Sequence, residues 1–425
     1  MSWHPHLWHP TTQVATSPVP LQVRSARGCE LELSDGRKLI DAISSWWVTL
    51  HGHAEPTIAA AIARQALELE QVIFANFSHA PAEQLATRLS ALTGLERLFF
   101  SDNGSTAVEV ALKMAWQWWQ NQEQPERRQL IAFDGAYHGD TFGAMALGER
   151  SLFSAPFESL LFAVRRVSWP HTHWHDDGVA SREAEALRQL EEALETPTAA
   201  VILEPLIQGA AGMRVVRPSF VRAVADRVQA AGALLIADEV MTGFGRTGAL
   251  FACQRSGVQP DLMALSKGLT GGFLPMGVTL ASERLYQGFV GRDPALTFFH
   301  GHSFTANPLG CAAALASLDL LQKQPERFQQ FEVRHTPLLQ ELACHPLVKR
   351  PRCVGTMAAF EVDARHGGYL DPVGKQIQSM ALELGVYLRP LGNVVYLLPP
   401  LTITDSQLER CYAALLQALD RLGVL

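Results

Sequence analysis

The sequence predicts an α/β fold built on a mostly parallel sheet that helices cover on both faces. Between residues 97 and 322, short apolar runs alternate with longer stretches of helical periodicity. The strand-like runs are apolar throughout, which is typical of strands buried on both faces of a sheet. The chain has 425 residues, of which 48% are hydrophobic and 18% charged. This length suffices for two packed domains.

The first predicted element is a β-hairpin near the amino terminus. Residues 29–33 and 38–41 have strand character, and Ser34-Asp35-Gly36-Arg37 between them has turn composition. The sheet that follows is expected to contain strands at 97–101, 130–133, 200–203, 233–237, 262–265 and 277–281. Its covering helices are expected at 105–120, 183–195, 218–231 and 307–321.

After residue 322 the pattern changes to a smaller α+β domain. Strands are expected at 358–362, 387–390 and 394–398, and a last helix from Asp405. A hairpin is too short to fold alone, so the amino-terminal one is expected to pack with this part. The predicted division is therefore 1–48 and 323–425 for the two parts of the small domain, and 49–322 for the large domain.

Composition argues against several classes of function. The net charge is −7 and no basic block occurs, so we expect no nucleic-acid partner. No run of about 18 uncharged apolar residues is present, so no membrane span is expected. The start of the chain lacks the positive and apolar regions of a secretion signal. The six cysteines are scattered without a CxxC pair, which favours reduced thiols and a cytoplasmic location.

Lys267 is the candidate catalytic lysine. The chain has only six lysines, and the other five lie beside a turn, on an amphipathic helix face or in polar stretches. Lys267 stands between an apolar strand and small residues. Loss of solvation lowers the pKa of a lysine, and the neutral amine can form a Schiff base. The alternative is a surface lysine whose stem covers apolar area, which the lack of nearby charges disfavours.

Asp238 ends a buried strand, and Glu239 follows it. A buried carboxylate requires a partner, because an unpaired buried charge is costly. A protonated pyridine nitrogen would be suitable, and a helix cap or a metal ion are the alternatives. The loop at 242–248 is glycine-rich but lacks the lysine of a phosphate-binding P-loop.

Two further strand ends carry candidate binding residues. Gly104 and Ser105 open a helix, with Thr106 and Glu109 at capping-box spacing, so the helix amino terminus could bind an anion. A capped helix without a ligand is the alternative. Tyr137 follows a strand at a glycine-flanked turn, where its ring could stack on a flat cofactor or simply pack in the turn.

Together these segments resemble the class III (ω-) aminotransferases of pyridoxal-phosphate fold-type I. The most specific match is an aspartate followed 29 residues later by a lysine. The resemblance implies that Lys267 holds pyridoxal phosphate and that Asp238 pairs with its pyridine nitrogen. It further implies that Gly104 and Ser105 hold the phosphate and that Tyr137 stacks on the ring. A homodimer with active sites at the interface is also expected.

The segment 299–308 resembles the stretch that reaches the partner subunit in this family. The resemblance assigns Ser303 a contact with the partner's cofactor phosphate, and places Gly301 and His302 beside it. The family pattern usually has Gly-Pro-Thr at this point. Ser303 keeps the hydroxyl, so phosphate binding is expected to be retained.

Three motifs resemble one branch of the family: Leu7-Trp8-His9-Pro10, Ser44-Ser45-Trp46-Trp47 and Leu388-Arg389-Pro390-Leu391-Gly392. The resemblance implies amino transfer from adenosylmethionine to 8-amino-7-oxononanoate in biotin synthesis. Trp46 and Trp47 would form an apolar wall and attract a sulfonium, although either could be core packing. Arg389 would bind the substrate carboxylate. Thr11 replaces a tyrosine of the family pattern, which bears on the choice of donor.

Several alternatives remain open at this point. Lysine could be the amino donor, or the substrate could be a diamine or an amino acid such as ornithine or 4-aminobutyrate. An aminomutase or a decarboxylase could use the same scaffold, and a non-enzymatic binding protein is a further class. A metal site at His171-Thr172-His173-Trp174-His175 is disfavoured, because no carboxylate or cysteine spacing completes it.

Overall fold

The computed structural model describes residues 3–363, 368 and 371–423. The strands are β1 (Val23–Arg27), β2 (Glu30–Leu33), β3 (Lys38–Asp41), β4 (Arg97–Ser101), β5 (Gln129–Phe133), β6 (Arg165–Val167), β7 (Thr198–Leu203), β8 (Ile207–Gln208), β9 (Arg214–Val215), β10 (Leu234–Asp238), β11 (Leu262–Leu265), β12 (Gly277–Ala281), β13 (Val348–Val354), β14 (Met357–Val362), β15 (Val386–Tyr387) and β16 (Val394–Leu397).

The helices are α1 (Ser44–Trp47), α2 (Pro56–Ala66), α3 (Ala80–Thr93), α4 (Gly104–Asn121), α5 (Phe142–Leu147), α6 (Val179–Leu194), α7 (Pro218–Ala230), α8 (Ala252–Ser256), α9 (Glu283–Gln287), α10 (Pro308–Lys323), α11 (Glu326–Gln329), α12 (Phe331–Leu342), α13 (Val373–Glu383) and α14 (Asp405–Gly423). Short 3₁₀ turns lie at Ala155–Leu160, Lys267–Thr270 and Pro294–Leu296.

The large sheet has seven strands in the order β4-β12-β11-β10-β7-β5-β6. Strand β12 runs antiparallel to both of its neighbours, and the other pairs are parallel. The prediction of a mostly parallel α/β sheet is therefore confirmed, and all six predicted strands belong to it. Strand β6 was not predicted, because only three residues of it pair.

Helices cover both faces of this sheet, as predicted. Ile131 and Phe133 of β5 pack with α6 and α7 in one apolar cluster. Leu130 and Ala132 of the same strand pack with α4 in another cluster. Successive side chains of a strand point to opposite faces, so an uninterrupted apolar run buries both of them.

Two smaller sheets involve the ends of the chain. The hairpin of β2 and β3 was predicted, and β15 pairs parallel to β3, so this sheet joins the two termini. Strands β13, β14 and β16 form a three-stranded antiparallel sheet. The strand expected at 387–390 is wrong beyond Tyr387, since Pro390 has no N–H to donate. The domain boundaries at 48 and 322 stay a prediction.

Within the described residues, no helix combines the length and the apolar character that crossing a membrane requires. The fold instead fixes where polar groups can gather. In the large sheet, strands β4, β5, β7, β10 and β11 are mutually parallel, so their carboxyl ends meet at one edge. Ligands of open α/β sheets bind at this edge.

Candidate active site

A cavity of about 700 Å³ opens at the carboxyl edge of the large sheet. Most of its lining residues end or follow the parallel strands, and the others are Trp47 of α1, Val48 and the segment 272–276 before β12. These lining residues include Gly104, Ser105, Tyr137, His138, Glu204, Asp238, Lys267 and Trp47. The structure thus brings four separately predicted segments into a single cavity.

Lys267 reaches into the cavity from the turn after β11. Its Nζ lies 4.8 Å from the centroid of the Trp47 ring. Burial lowers the pKa of the Lys267 amine, and the nearby carboxylates of Asp238 and Glu204 counteract this only in part. A lysine in these surroundings has a larger neutral fraction, and the neutral amine is the nucleophilic form.

The backbone of Lys267 is strained. Its φ of 41° lies in the left-handed region, which residues other than glycine rarely adopt. Ser317 Oγ donates to the Gly268 carbonyl at 3.3 Å, and His51 Nε2 lies 3.0 Å from the same hydroxyl. Ser266 Oγ donates to the Met276 carbonyl at 2.7 Å. These buried contacts hold the turn in the conformation that points the amine into the cavity.

Asp238 has a partner in the protein. Its Oδ2 lies 2.7 Å from His138 Nδ1, and its Oδ1 accepts a hydrogen bond from the Val240 amide at 3.1 Å. The carboxylate is 4% exposed, and it lines the cavity. The His138 ring was not selected from the sequence as a partner, because the two residues are 100 positions apart.

Glu204 is a site residue that the sequence reasoning missed. It follows β7 and accepts hydrogen bonds from the amides of Tyr137 (3.0 Å) and Gly209 (3.1 Å). Burial raises the pKa of its carboxyl to about 7. The nearby His138 lowers this pKa, and the negative charge of Asp238 raises it. The available signal was the same as for Asp238, namely a carboxylate at the end of a buried apolar run.

The amino terminus of α4 forms one wall of the cavity. Asn103 caps the helix, since its Oδ1 accepts from the Thr106 amide at 3.0 Å and Thr106 Oγ1 accepts from the Asn103 amide at 3.1 Å. The expected capping pair of Thr106 and Glu109 is therefore wrong. Glu109 Oε1 instead accepts from the amides of Gly143 (2.7 Å) and Ala144 (3.1 Å).

Gly104 and Ser105 contribute the first N–H groups of α4, which have no acceptor within a helix. Ser105 Oγ hydrogen-bonds Thr141 Oγ1 at 2.8 Å. Tyr137 lies on the opposite turn and is 41% exposed. Burial raises the pKa of its phenol, and the charge of Asp140 raises it further, so the ring carries a neutral hydroxyl into the cavity.

The two adjacent tryptophans have different surroundings. Trp47 is 6% exposed, lines the cavity and donates from Nε1 to the Tyr396 hydroxyl at 3.0 Å. Trp46 is 41% exposed, and the Arg389 guanidinium lies 3.9 Å from its ring centroid. Trp46 and Arg389 therefore form a separate pair outside the lining of the cavity, while Trp47 serves both the core and the cavity.

Gly301, His302 and Ser303 do not line the cavity of their own chain. His302 organises the loop, since its carbonyl accepts from Thr305 Oγ1 at 2.8 Å. The Ser303 carbonyl accepts from Gln71 at 2.7 Å. Among the described residues, no three His, Cys, Asp or Glu side chains are grouped so that they could hold a metal ion.

The chain is similar to known proteins over nearly its whole length. The model of the class III aminotransferase family matches residues 11–419. An adenosylmethionine-8-amino-7-oxononanoate aminotransferase of Synechococcus elongatus is 59% identical, over 99% of this chain and 100% of the relative. One of the same name from Geobacter sulfurreducens is 38% identical, over 95% and 93%.

Solved structures are similar over nearly their whole length. The adenosylmethionine-8-amino-7-oxononanoate aminotransferase of Methanocaldococcus jannaschii is 33% identical with a TM-score of 0.91, covering 98% of this chain and 97% of its own. An amine transaminase of an uncultivated Pseudomonas species, solved in a PLP-bound form, is 30% identical with a TM-score of 0.92, covering 99% and 100%. The chain belongs to the class III aminotransferase family.

Proposed function

We propose that this enzyme uses pyridoxal phosphate to transfer an amino group from S-adenosylmethionine to 8-amino-7-oxononanoate, forming 7,8-diaminononanoate in biotin biosynthesis. The observation that carries the proposal is the meeting of Lys267, Asp238 and the amino terminus of α4 in one cavity. The names of relatives that are 59% and 38% identical support the choice of substrates.

The residues of the cavity fit pyridoxal phosphate. An aldehyde requires an amine of low pKa, which Lys267 supplies. A protonated ring nitrogen requires a carboxylate, which Asp238 supplies. A phosphate requires free N–H groups and hydroxyls, and Gly104 and Ser105 supply them at a helix amino terminus. The Tyr137 ring offers a face for the pyridine, and Ser303 of the partner subunit would add a second hydroxyl to the phosphate.

When bound, pyridoxal phosphate supplies an electron sink, which lets a proton leave the carbon that carries the amine. The Lys267 amine would take this proton and later return it, because burial lowers the pKa of the amine and so enlarges its basic, neutral fraction. Asp238 would hold a proton on the ring nitrogen, and His138 fixes the orientation of the Asp238 carboxylate. Glu204 fixes the turn that carries Tyr137.

The substrate residues are Trp46, Trp47, Tyr137, Gly301 and Arg389. Trp47 gives the cavity an apolar wall next to Lys267, which suits the chain of the keto acid. Trp46 presents an exposed aromatic face, which suits a sulfonium donor. Arg389 provides a guanidinium for the carboxylate at the far end of the acceptor.

We further propose a homodimer with shared active sites, located in the cytoplasm. Exposed apolar side chains in or beside the candidate partner-reaching loop support a subunit interface, since such surface is costly in water: Ile73, Phe77, Phe299 and Phe304. The placement of Ser303 outside its own cavity is consistent with a role in the partner's site. The free state of all six cysteines supports a reducing compartment.

A half-reaction tests the function. The purified enzyme is loaded with pyridoxal phosphate, S-adenosylmethionine or lysine is added without acceptor, and the visible absorption band is followed. Bleaching by S-adenosylmethionine alone is the expected result. Bleaching by lysine alone would keep the aminotransferase and overturn the donor. A persistent band with both donors would overturn the substrate assignment, and other ω-amino donors would then be tested.

A further inference from the structure

Arg389 is a guanidinium without an acidic partner. Among the described residues, no carboxylate oxygen lies within 4.0 Å of its guanidinium. Other arginines of the chain do pair with a carboxylate, as Arg88, Arg182, Arg217 and Arg421 show. Its recorded contacts are the face of Trp46 at 3.9 Å and the hydroxyl of Thr11 at 3.1 Å from Nη2. The remaining N–H groups of Arg389 are available to a ligand.

Thr11 comes from the opposite end of the chain, 378 residues before Arg389. Its φ of 51° lies in the left-handed region, which a β-branched residue very rarely adopts. Such strain persists only where surrounding contacts fix the backbone, and it tends to occur at functional sites. Here the strained backbone places the Thr11 hydroxyl against the guanidinium.

We propose that Thr11 is a positioning residue that holds the Arg389 guanidinium against the Trp46 ring, so that its free N–H groups are preset for the carboxylate of the keto-acid substrate. The ring restrains one face of the guanidinium, and the hydroxyl restrains one end of it. A long arginine side chain otherwise loses rotamer freedom when a ligand binds. The inference rests on the proposed function, because that function supplies the carboxylate.

This role predicts an effect on one substrate only. The acceptor has its carboxylate at the far end of its chain from the reacting carbonyl, whereas the carboxylate of S-adenosylmethionine is on the carbon that carries the reacting amine. Thr11 acts through Arg389, which is proposed to bind the distant carboxylate of the acceptor. Immobilising a flexible side chain on binding costs about 2- to 10-fold in affinity. Loss of the hydroxyl is therefore expected to raise the KM of the keto acid by roughly this factor, while kcat and the reaction with the donor stay near their original values.

The chain offers matched variants for the test. Thr11→Val keeps the β-branched shape and removes the hydroxyl, and Thr11→Ser restores the hydroxyl. Thr12→Val is the control, because the Thr12 hydroxyl donates to the Pro10 carbonyl at 2.8 Å within its own turn. Each holoenzyme is assayed for the KM of the keto acid, for the rate of the donor half-reaction and for inhibition by nonanoate and by nonanamide.

The expected result is that Thr11→Val raises the KM of the keto acid and the inhibition constant of nonanoate, while nonanamide and the donor half-reaction are unaffected. Thr11→Ser and Thr12→Val should behave like the original chain. Equal losses for nonanoate and nonanamide, or no loss for either, would overturn the role of Thr11. If the unsubstituted enzyme does not aminate the keto acid, the proposed function is overturned instead. The comparison of inhibition by nonanoate and by nonanamide would then still decide the role of Thr11.

Discussion

Gly104 lies in the cavity lining against Val240 and Ser266, so replacing it by alanine should weaken cofactor binding. A Cβ at this position would lie 2.6 Å from Val240 Cγ1, 3.2 Å from Val240 Cγ2 and 3.5 Å from Ser266 Cβ. Val240 is two residues after Asp238, and Ser266 directly precedes Lys267. The added methyl group would therefore push the helix amino terminus away from Asp238 and Lys267, which are proposed to hold the ring nitrogen and the aldehyde of the cofactor.

The magnitude follows from the cost of overpacking. Forcing an extra methyl group into a packed site costs about 1–3 kcal/mol. If this cost destabilises the cofactor-bound state and not the free enzyme, the affinity for pyridoxal phosphate falls by about 5- to 140-fold, because each ~1.4 kcal/mol is a factor of ten. Equilibrium titration of the apoenzyme with pyridoxal phosphate, followed by absorbance, measures the change.

Gly423→Ala is the matched control, because a Cβ at Gly423 would meet nothing within 4 Å. This variant should bind the cofactor like the original chain. Thermal unfolding of each apoenzyme separates a loss of cofactor affinity from a loss of folding. The reasoning is refuted if Gly104→Ala folds normally and binds pyridoxal phosphate within about twofold of the original affinity, a change too small for an overpacked site.

Three further perturbations test the site. Lys267→Ala should retain bound cofactor but lose at least about 100-fold in turnover, because its proton carrier is gone; near-normal turnover would contradict this. Asp238→Asn keeps the Val240 contact and removes the charge, so turnover should fall roughly 10- to 150-fold, and unchanged kinetics would exclude the ring-nitrogen role. Burial lowers the pKa of His51 to about 3, so the unfolded chain takes up a proton below about pH 6.5 that the folded chain does not, and stability is lost as the pH falls. The unfolding temperature between about pH 7.5 and 5.5 should therefore depend less on pH in His51→Gln than in the parent protein. An equal dependence in both proteins would exclude His51 as a source of the pH dependence.

The sheet could be predicted from the sequence because its signal is local. Each strand is a short apolar run, and a polar residue ends it or closely follows it, as Asp238 and Lys267 do. The capping of α4 was misassigned because Asn103 and Glu109 both match capping chemistry, and only packing decides that Glu109 faces the amides of Gly143 and Ala144. Spacing alone does not fix which carboxylate a backbone amide finds.

The partners of the site residues could not be predicted, because they come from distant parts of the chain. His138 lies 100 residues from Asp238, and Thr11 lies 378 residues from Arg389. Neither pair has a local pattern. The family resemblance identified Thr11 only as a departure from a tyrosine. The structure shows a physical consequence of this departure, because the Thr11 hydroxyl accepts a hydrogen bond from the Arg389 guanidinium.

Strained backbone conformations occur both beside the proposed substrate contacts and at the proposed cofactor lysine, and the sequence does not show this. Positive φ values occur at Thr11, Ser44, Ser45, Trp47 and Lys267, which together carry or adjoin the proposed substrate and cofactor contacts. Specific contacts maintain the turn around Trp46. Ser44 Oγ donates to the Leu398 carbonyl at 2.7 Å, and the Ser45 amide donates to a buried carboxylate at 2.6 Å. Strain of this kind persists only where such contacts over-determine the backbone. These contacts therefore fix the backbone next to Trp46, whose exposed ring the proposed function assigns to the sulfonium donor.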